Sequence, residues 1–120
     1  MWVRVAGGLG ALAVVLGAFG THALPRVVTD PGLQQAWDVG ARYHLVHAVA
    51  VAIVGLHPAR PRWAGAFFSA GILLFSGSLY AMALTGHRWL GAITPLGGLA
   101  FIAGWIALAA APSTKIAGAP

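Results

Sequence analysis

His44 and His47 are the residues best spaced for chemistry in this 120-residue chain. Three apart, they share one face of a helix. Imidazole can ligate a metal, bind haem or relay protons. Near them in the expected layout stand His22, at the end of the first apolar run, Arg42, and the turn residues His87 and Arg88. The guanidinium groups of Arg42 and Arg88 suit an anionic headgroup or a carboxylate. His22, Arg42, His44, His47 and Arg88 therefore form a candidate polar rim able to hold a small ligand. The same residue types also serve structure: His and Arg at a membrane surface reach to the headgroups and bond the carbonyls at helix ends. We read the rim first as structural. A bound anionic ligand or lipid is the alternative, with haem or metal binding and proton transfer behind it.

Absent residue types narrow the chemistry. The chain has no cysteine, which excludes disulfides, thiolate zinc sites, iron–sulfur clusters and cysteine nucleophiles. It has no glutamate, which a ferritin-like di-iron site needs on its helices. A bis-histidine haem would need His22 opposite His44 or His47. Proton-coupled transporters bury a carboxylate near the midplane, and the two acids, Asp30 and Asp38, are placed too shallow for that. Ser76 and Ser78 fall mid-helix with no base at their depth, so they are expected to bond carbonyls one turn back or to bridge helices. No catalytic constellation emerges, and neither a cofactor nor an enzymatic activity is expected.

The elements that must position these residues are apolar. The composition is 59% hydrophobic and 8% charged, against about 25% charged in soluble domains. Between residues 63 and 111 Arg88 is the one Lys, Arg, Asp or Glu. It sits in a short turn between two runs, each long enough for a bilayer, which takes about 20 residues. Four spans are expected, at about residues 2–24, 42–57, 63–84 and 89–111. They make one all-α membrane domain over 1–112, a compact Gly/Ala-rich bundle with both termini on one side. The first run resembles a secretory signal but is expected to be retained, because its cleavage motif is weak. Asp30-Pro31 is a good helix start, with Asp as cap and Pro at the first helical position. Residues 31–41 are too polar for hydrocarbon and are expected at the interface, with Trp37 as an interfacial aromatic. Whether they extend the second span or form a separate surface helix is open. Gly86 suits a helix C-cap. Pro95 is expected about one and a half turns inside the last span, bending it. The tail, 113–120, is expected to be disordered.

The net charge of +5 comes from basic residues set singly or in pairs between apolar runs. That is a topology signal rather than a nucleic-acid surface, and no nucleic acid is expected as a partner. Arg4, Arg60, Arg62 and Lys115 fall on one side; Arg26, Arg42 and Arg88 fall on the other with both aspartates. The positive-inside rule then places both termini in the cytoplasm. The chain has 17 glycines, and small residues recur four apart. Gly7, Ala13, Gly17, Gly77 and Gly104, with the bend at Pro95, are the candidate helix-packing positions. This spacing lets helix backbones approach closely. It serves packing within the bundle, and equally a homo-oligomer or a membrane-protein partner. The lipid bilayer is the expected surrounding partner.

Four blocks of sequence also resemble a known family. They are Gly17-Ala18-Phe19-Gly20-Thr21-His22-Ala23-Leu24, Arg42-Tyr43-His44-Leu45-Val46-His47-Ala48, Gly71-Ile72-Leu73-Leu74-Phe75-Ser76-Gly77-Ser78-Leu79-Tyr80, and the stretch from Thr85-Gly86-His87-Arg88-Trp89 through Thr94-Pro95-Leu96-Gly97-Gly98. In this order they resemble the YgdD-like small membrane proteins, bacterial with a eukaryotic transmembrane counterpart. The resemblance implies a four-helix protein of the bacterial inner membrane. It supplies no catalytic residues.

The topology has a direct test. Alkaline phosphatase fused to the C-terminus is expected to be inactive in bacterial cells, and periplasmic activity of that fusion would invert the assignment.

Overall fold

The structure, a computed structural model, describes residues 1–112. The tail at 113–120, with Lys115, lies outside the described residues. Helix α1 spans Trp2–His22, a short α2 Leu24–Val27, and α3 Pro31–Leu56. Helix α4, Arg62–Gly71, runs through a π-helical segment, Ile72–Ser76, into α5, Gly77–Thr85. A 3-10 turn, Arg88–Ala92, leads into α6, Thr94–Ala109. Four rods result: Trp2–His22, Pro31–Leu56, Arg62–Thr85 and Arg88–Ala109. Each is long and apolar enough to cross a membrane. The expected all-α class and the compact bundle of four such helices are borne out.

Helix ends follow local chemistry. Asp30 Oδ1 accepts from the N–H of Gly32 at 2.8 Å, and Pro31 opens α3. From there α3 is a single helix of 26 residues, so 31–41 extends it directly. Gly86, at φ 75°, ends α5 by donating its N–H to the Met82 carbonyl. Pro95 does not bend the last helix from inside. The chain turns in a 3-10 segment at Arg88–Ala92 and restarts at Thr94, leaving Pro95 in the first turn of α6. There its missing N–H costs no helical hydrogen bond.

Packing is ordered along the chain. Helix α1 lies chiefly on α3, while α6 lies chiefly on α4 and the π segment. Trp2, Val54, Phe68 and Leu108 meet in one cluster, so α1 begins and α6 ends at the same end of the bundle.

The contact between the third and fourth rods is a reciprocal interlock of glycine and phenylalanine. Phe68 faces Gly104, Phe101 faces Gly71, and Gly97 lies against the backbone of Phe75. One step further on, Ser78 Oγ and Thr94 Oγ1 are hydrogen-bonded at 2.6 Å. A side chain at any of these three glycines would meet a ring or, at Gly97, main chain. Of the packing positions expected from sequence, Gly104 lies in this interlock and Ala13 is buried. Gly7, Gly17 and Gly77 have open space where a Cβ would project. Small-residue spacing marks every face that tolerates close approach, and at these three no neighbouring side chain comes close enough to use it.

Gly97→Ala should therefore destabilise the protein by about 1–3 kcal/mol, the usual cost of overpacking. Gly7→Ala should leave stability unchanged or slightly higher, since alanine is the better helix former. Unfolding in detergent compares the two, and equal effects would disprove the interlock.

Candidate functional site

Beside Ala48 and Ala50, helix α3 buries one continuous stripe: Trp37, Gly40, His44, His47, Val51 and Val54. The alternating three- and four-residue steps keep one face of a helix turned to its neighbours. The first four positions carry the polar contacts and the last two are aliphatic.

Each polar position reaches another helix. Trp37 Nε1 donates to the Leu16 carbonyl of α1 at 2.8 Å. Its indole packs against Phe19 and Tyr80, with centroids at 5.2 and 4.5 Å. Trp37 is thus interior, 3% exposed, rather than the interfacial aromatic expected. Gly20 leaves the space that the indole fills. The Gly40 carbonyl accepts from Ser76 Oγ at 2.7 Å. Ser76 ends the π segment, whose wider turn rotates the residues that follow it. Ser76 bridges helices, and Ser78 bonds both Thr94 and the Phe75 carbonyl three residues back.

The two histidines are buried, 1% and 4% exposed. His44 Nδ1 lies 2.9 Å from the Tyr80 hydroxyl. Its Nε2 is buried beside the Leu9 backbone of α1 but short of hydrogen-bond geometry. His47 is fully engaged. Trp105 Nε1, a donor only, lies 3.1 Å from His47 Nε2, which therefore accepts. Nδ1 then carries the proton and donates to the Tyr43 carbonyl at 2.8 Å. This assigns a neutral imidazole, and its ring stacks on Phe101 at 3.6 Å. Tyr43, His47, Phe75, Phe101 and Trp105 also line an open, mostly apolar groove of about 590 Å³ between α3 and α6.

The candidate rim is not gathered into one site. Arg42 donates to Asp38 at 2.8 Å on the exposed side of α3. Arg88 donates to Asp30 Oδ2 at 2.6 Å, tying the turn before α6 to the cap of α3. His22 and His87 are exposed. His44 and His47 point to different helices inside the bundle. Among the described residues, no three His, Cys, Asp or Glu side chains come together as a metal-ion set.

Three partners were not singled out from sequence: Tyr80, Trp105 and Asp30 as the mate of Arg88. The Asp30–Arg88 pair had a signal, since both aspartates were already placed on Arg88's side. Trp37 had one too, because it falls on the stripe of His44 and His47. Tyr80 and Trp105 had none, because the depth of one helix against another is not written in either helix alone.

The chain matches a family model described as "Protein of unknown function (DUF423)" over residues 16–98. It is 44% identical over 114 residues to the UPF0382 membrane protein YwdK of Bacillus subtilis, covering 89% of this chain and 92% of the relative. It is 41% identical over 109 residues to a UPF0382 membrane protein of Schizosaccharomyces pombe, covering 85% and 92%. A UPF0382 membrane protein of Haemophilus influenzae is 41% identical over 105 residues, covering 83% of each chain. No solved structure matches.

Trp105→Phe would keep the ring and remove the donor, leaving His47 Nε2 buried and unpaired. The expected loss is about 1–3 kcal/mol of stability in detergent. No measurable loss would show that the bond contributes nothing.

Proposed function

The chain belongs to the DUF423 family, the UPF0382 membrane proteins of bacteria and of a fission yeast; from that premise we propose that it is a non-enzymatic membrane component that packs with lipid or with another membrane protein. We take the YgdD-like resemblance of its motifs and this family to be one and the same. In this proposal residues 1–112 form one four-span domain of the cell inner membrane, with both termini cytoplasmic. No nucleic acid is a partner, and self-association is open to it.

One observation carries the proposal: Arg42, His47 and Arg88 of the candidate rim are bonded within the protein. Arg42 and Arg88 each face an aspartate, and His47 has both ring nitrogens bonded. A small anionic ligand at the rim would have to share Arg42 and Arg88 with Asp38 and Asp30. Both pairs are largely exposed, and such pairs contribute about 0.2–1 kcal/mol.

Native mass spectrometry of gently extracted protein, with two variants, tests the proposal. Arg42→Ala should change stability by less than about 1 kcal/mol and release no small molecule. His47→Ala should lower the unfolding temperature, again with nothing released. Loss of a bound small molecule from Arg42→Ala at unchanged stability would make the rim a ligand site instead.

A further inference from the structure

The end of the bundle opposite the aspartates carries arginines with no acid beside them among the described residues. The chain has two acidic side chains, Asp30 and Asp38. Both are paired at the far end, with Arg88 and Arg42. Arg60 and Arg62 lie in and just after the turn joining α3 to α4, and both are exposed.

That turn is built to hold its shape. The Arg60 N–H donates to the His57 carbonyl at 3.0 Å, and the Ala59 N–H donates to His57 Nδ1 at 3.0 Å. Arg60 has φ 43°, the one non-glycine residue with positive φ among those described. A side chain there costs about 1–2 kcal/mol that glycine would avoid. The sequence nevertheless places a long cationic side chain at this position.

Both arginines border a hollow. Trp2 seats its indole on Gly65, and the neighbouring Val3 lies against Gly55; a Cβ at either glycine would collide with them. Met1 and Trp2 line both a hollow of about 330 Å³, with Arg60 and Gly55, and an open groove of about 410 Å³, with Arg62, Trp63 and Ala66. The Arg62 guanidinium lies 5.6 Å from the centroid of the Trp63 ring, a distance for cation–π attraction. Cationic mouths thus open onto apolar walls, and Trp2 and Trp63 stand at the first ends of two membrane-length helices, the position where tryptophan is enriched in membrane proteins.

We propose that this end is a binding site for an anionic phospholipid. Its phosphate meets the Arg60 and Arg62 guanidinium groups and an acyl chain lies along Trp63 and Ala66. Charge complementarity selects the headgroup, because no carboxylate among the described residues competes at this end. The apolar groove selects an amphiphile over a free anion, which would leave it unused. The site rests on the reading of the chain as a membrane component that packs with lipid, and it names which lipid and where. In the proposed orientation the site lies in the cytoplasmic leaflet, where anionic lipids set a negative surface potential.

The test uses the full chain in bilayer discs of equal phosphatidylglycerol and phosphatidylcholine, released into native mass spectrometry. Wild type should retain phosphatidylglycerol in preference. Arg60→Gln and Arg62→Gln should each lower the retained phosphatidylglycerol-to-phosphatidylcholine ratio by about fivefold, from about 1 kcal/mol per basic residue near a surface. Arg60→Gly should lower the ratio equally while holding or raising the unfolding temperature, which separates lipid binding from folding. Arg26→Gln, an exposed cation at the other end, should leave the ratio unchanged. Excess inorganic phosphate should not displace the lipid. Retention of both lipids equally would overturn the site and leave the lipid-packing reading standing; retention of neither would count against both. Displacement by inorganic phosphate, or an unchanged ratio in Arg60→Gly and Arg62→Gln, would also overturn the site.

Discussion

In a hydrocarbon solvent a buried polar atom must find its partner within the protein, because no water reaches it. The bundle depends on how α3 meets that constraint. Its stripe from Trp37 to His47 carries a tryptophan donor, a helix carbonyl and two imidazoles into the interior. These reach α1 through Leu16, the π segment through Ser76, α5 through Tyr80 and α6 through Trp105. The central helix is therefore polar where it joins its neighbours and aliphatic, at Val51 and Val54, where it needs only to fill space. The π turn at Ile72–Ser76 belongs to the same solution, because it ends at the serine that bonds Gly40.

The outer helices are held by different means. Between lipid-exposed helices there is little hydrophobic drive for association, so close packing and hydrogen bonds carry it. Helix α6 achieves this by fitting Gly97, Phe101 and Gly104 against Phe75, Gly71 and Phe68. The hydroxyl pair of Ser78 and Thr94 continues the contact. Shape sets the register, since sliding either helix by one turn would set ring against ring. Helix α1 meets α3 through glycine seats at its two ends: Gly20 takes the Trp37 indole, and Gly55 of α3 lies against Val3 and Trp2. Between them it joins α3 through the Trp37 bond and small residues such as Ala13, and it leaves open space at Gly7 and Gly17.

Charge divides the molecule between its two ends. At one end both aspartates neutralise arginines, and Asp30 does double work as helix cap and mate of Arg88. At the other, Arg60 and Arg62 stand on a strained, hydrogen-bonded turn beside two tryptophans. A membrane protein with so few acids cannot neutralise both ends. Among the described residues it spends both on Arg42 and Arg88, and the ion pairs do not reach Arg60 and Arg62.

Much of this was legible along the chain. Length and apolarity imply four helices, Asp30-Pro31 a start and Gly86 a stop. These are local properties: each depends on the bilayer thickness or on the conformational limits of a few consecutive residues. The candidate rim depended on more than that. His44 and His47 share a helix face, but the depth of that face and its opposite side chains were set when α3 met Tyr80 and Trp105. Trp37, expected at the interface, became core because Gly20 leaves room for its ring. Pro95, expected as a bend, became a helix start once the chain completed its turn at Arg88–Ala92. Gly7 and Gly104 look alike in sequence, yet Gly104 faces a phenylalanine and Gly7 faces outward. Sequence alone determined which segments are helices and which solvent they require. The tertiary structure decided which polar groups are spent on one another and which remain free, because partners 21 to 58 residues apart are paired by helix register, and register is set by the fit of whole surfaces.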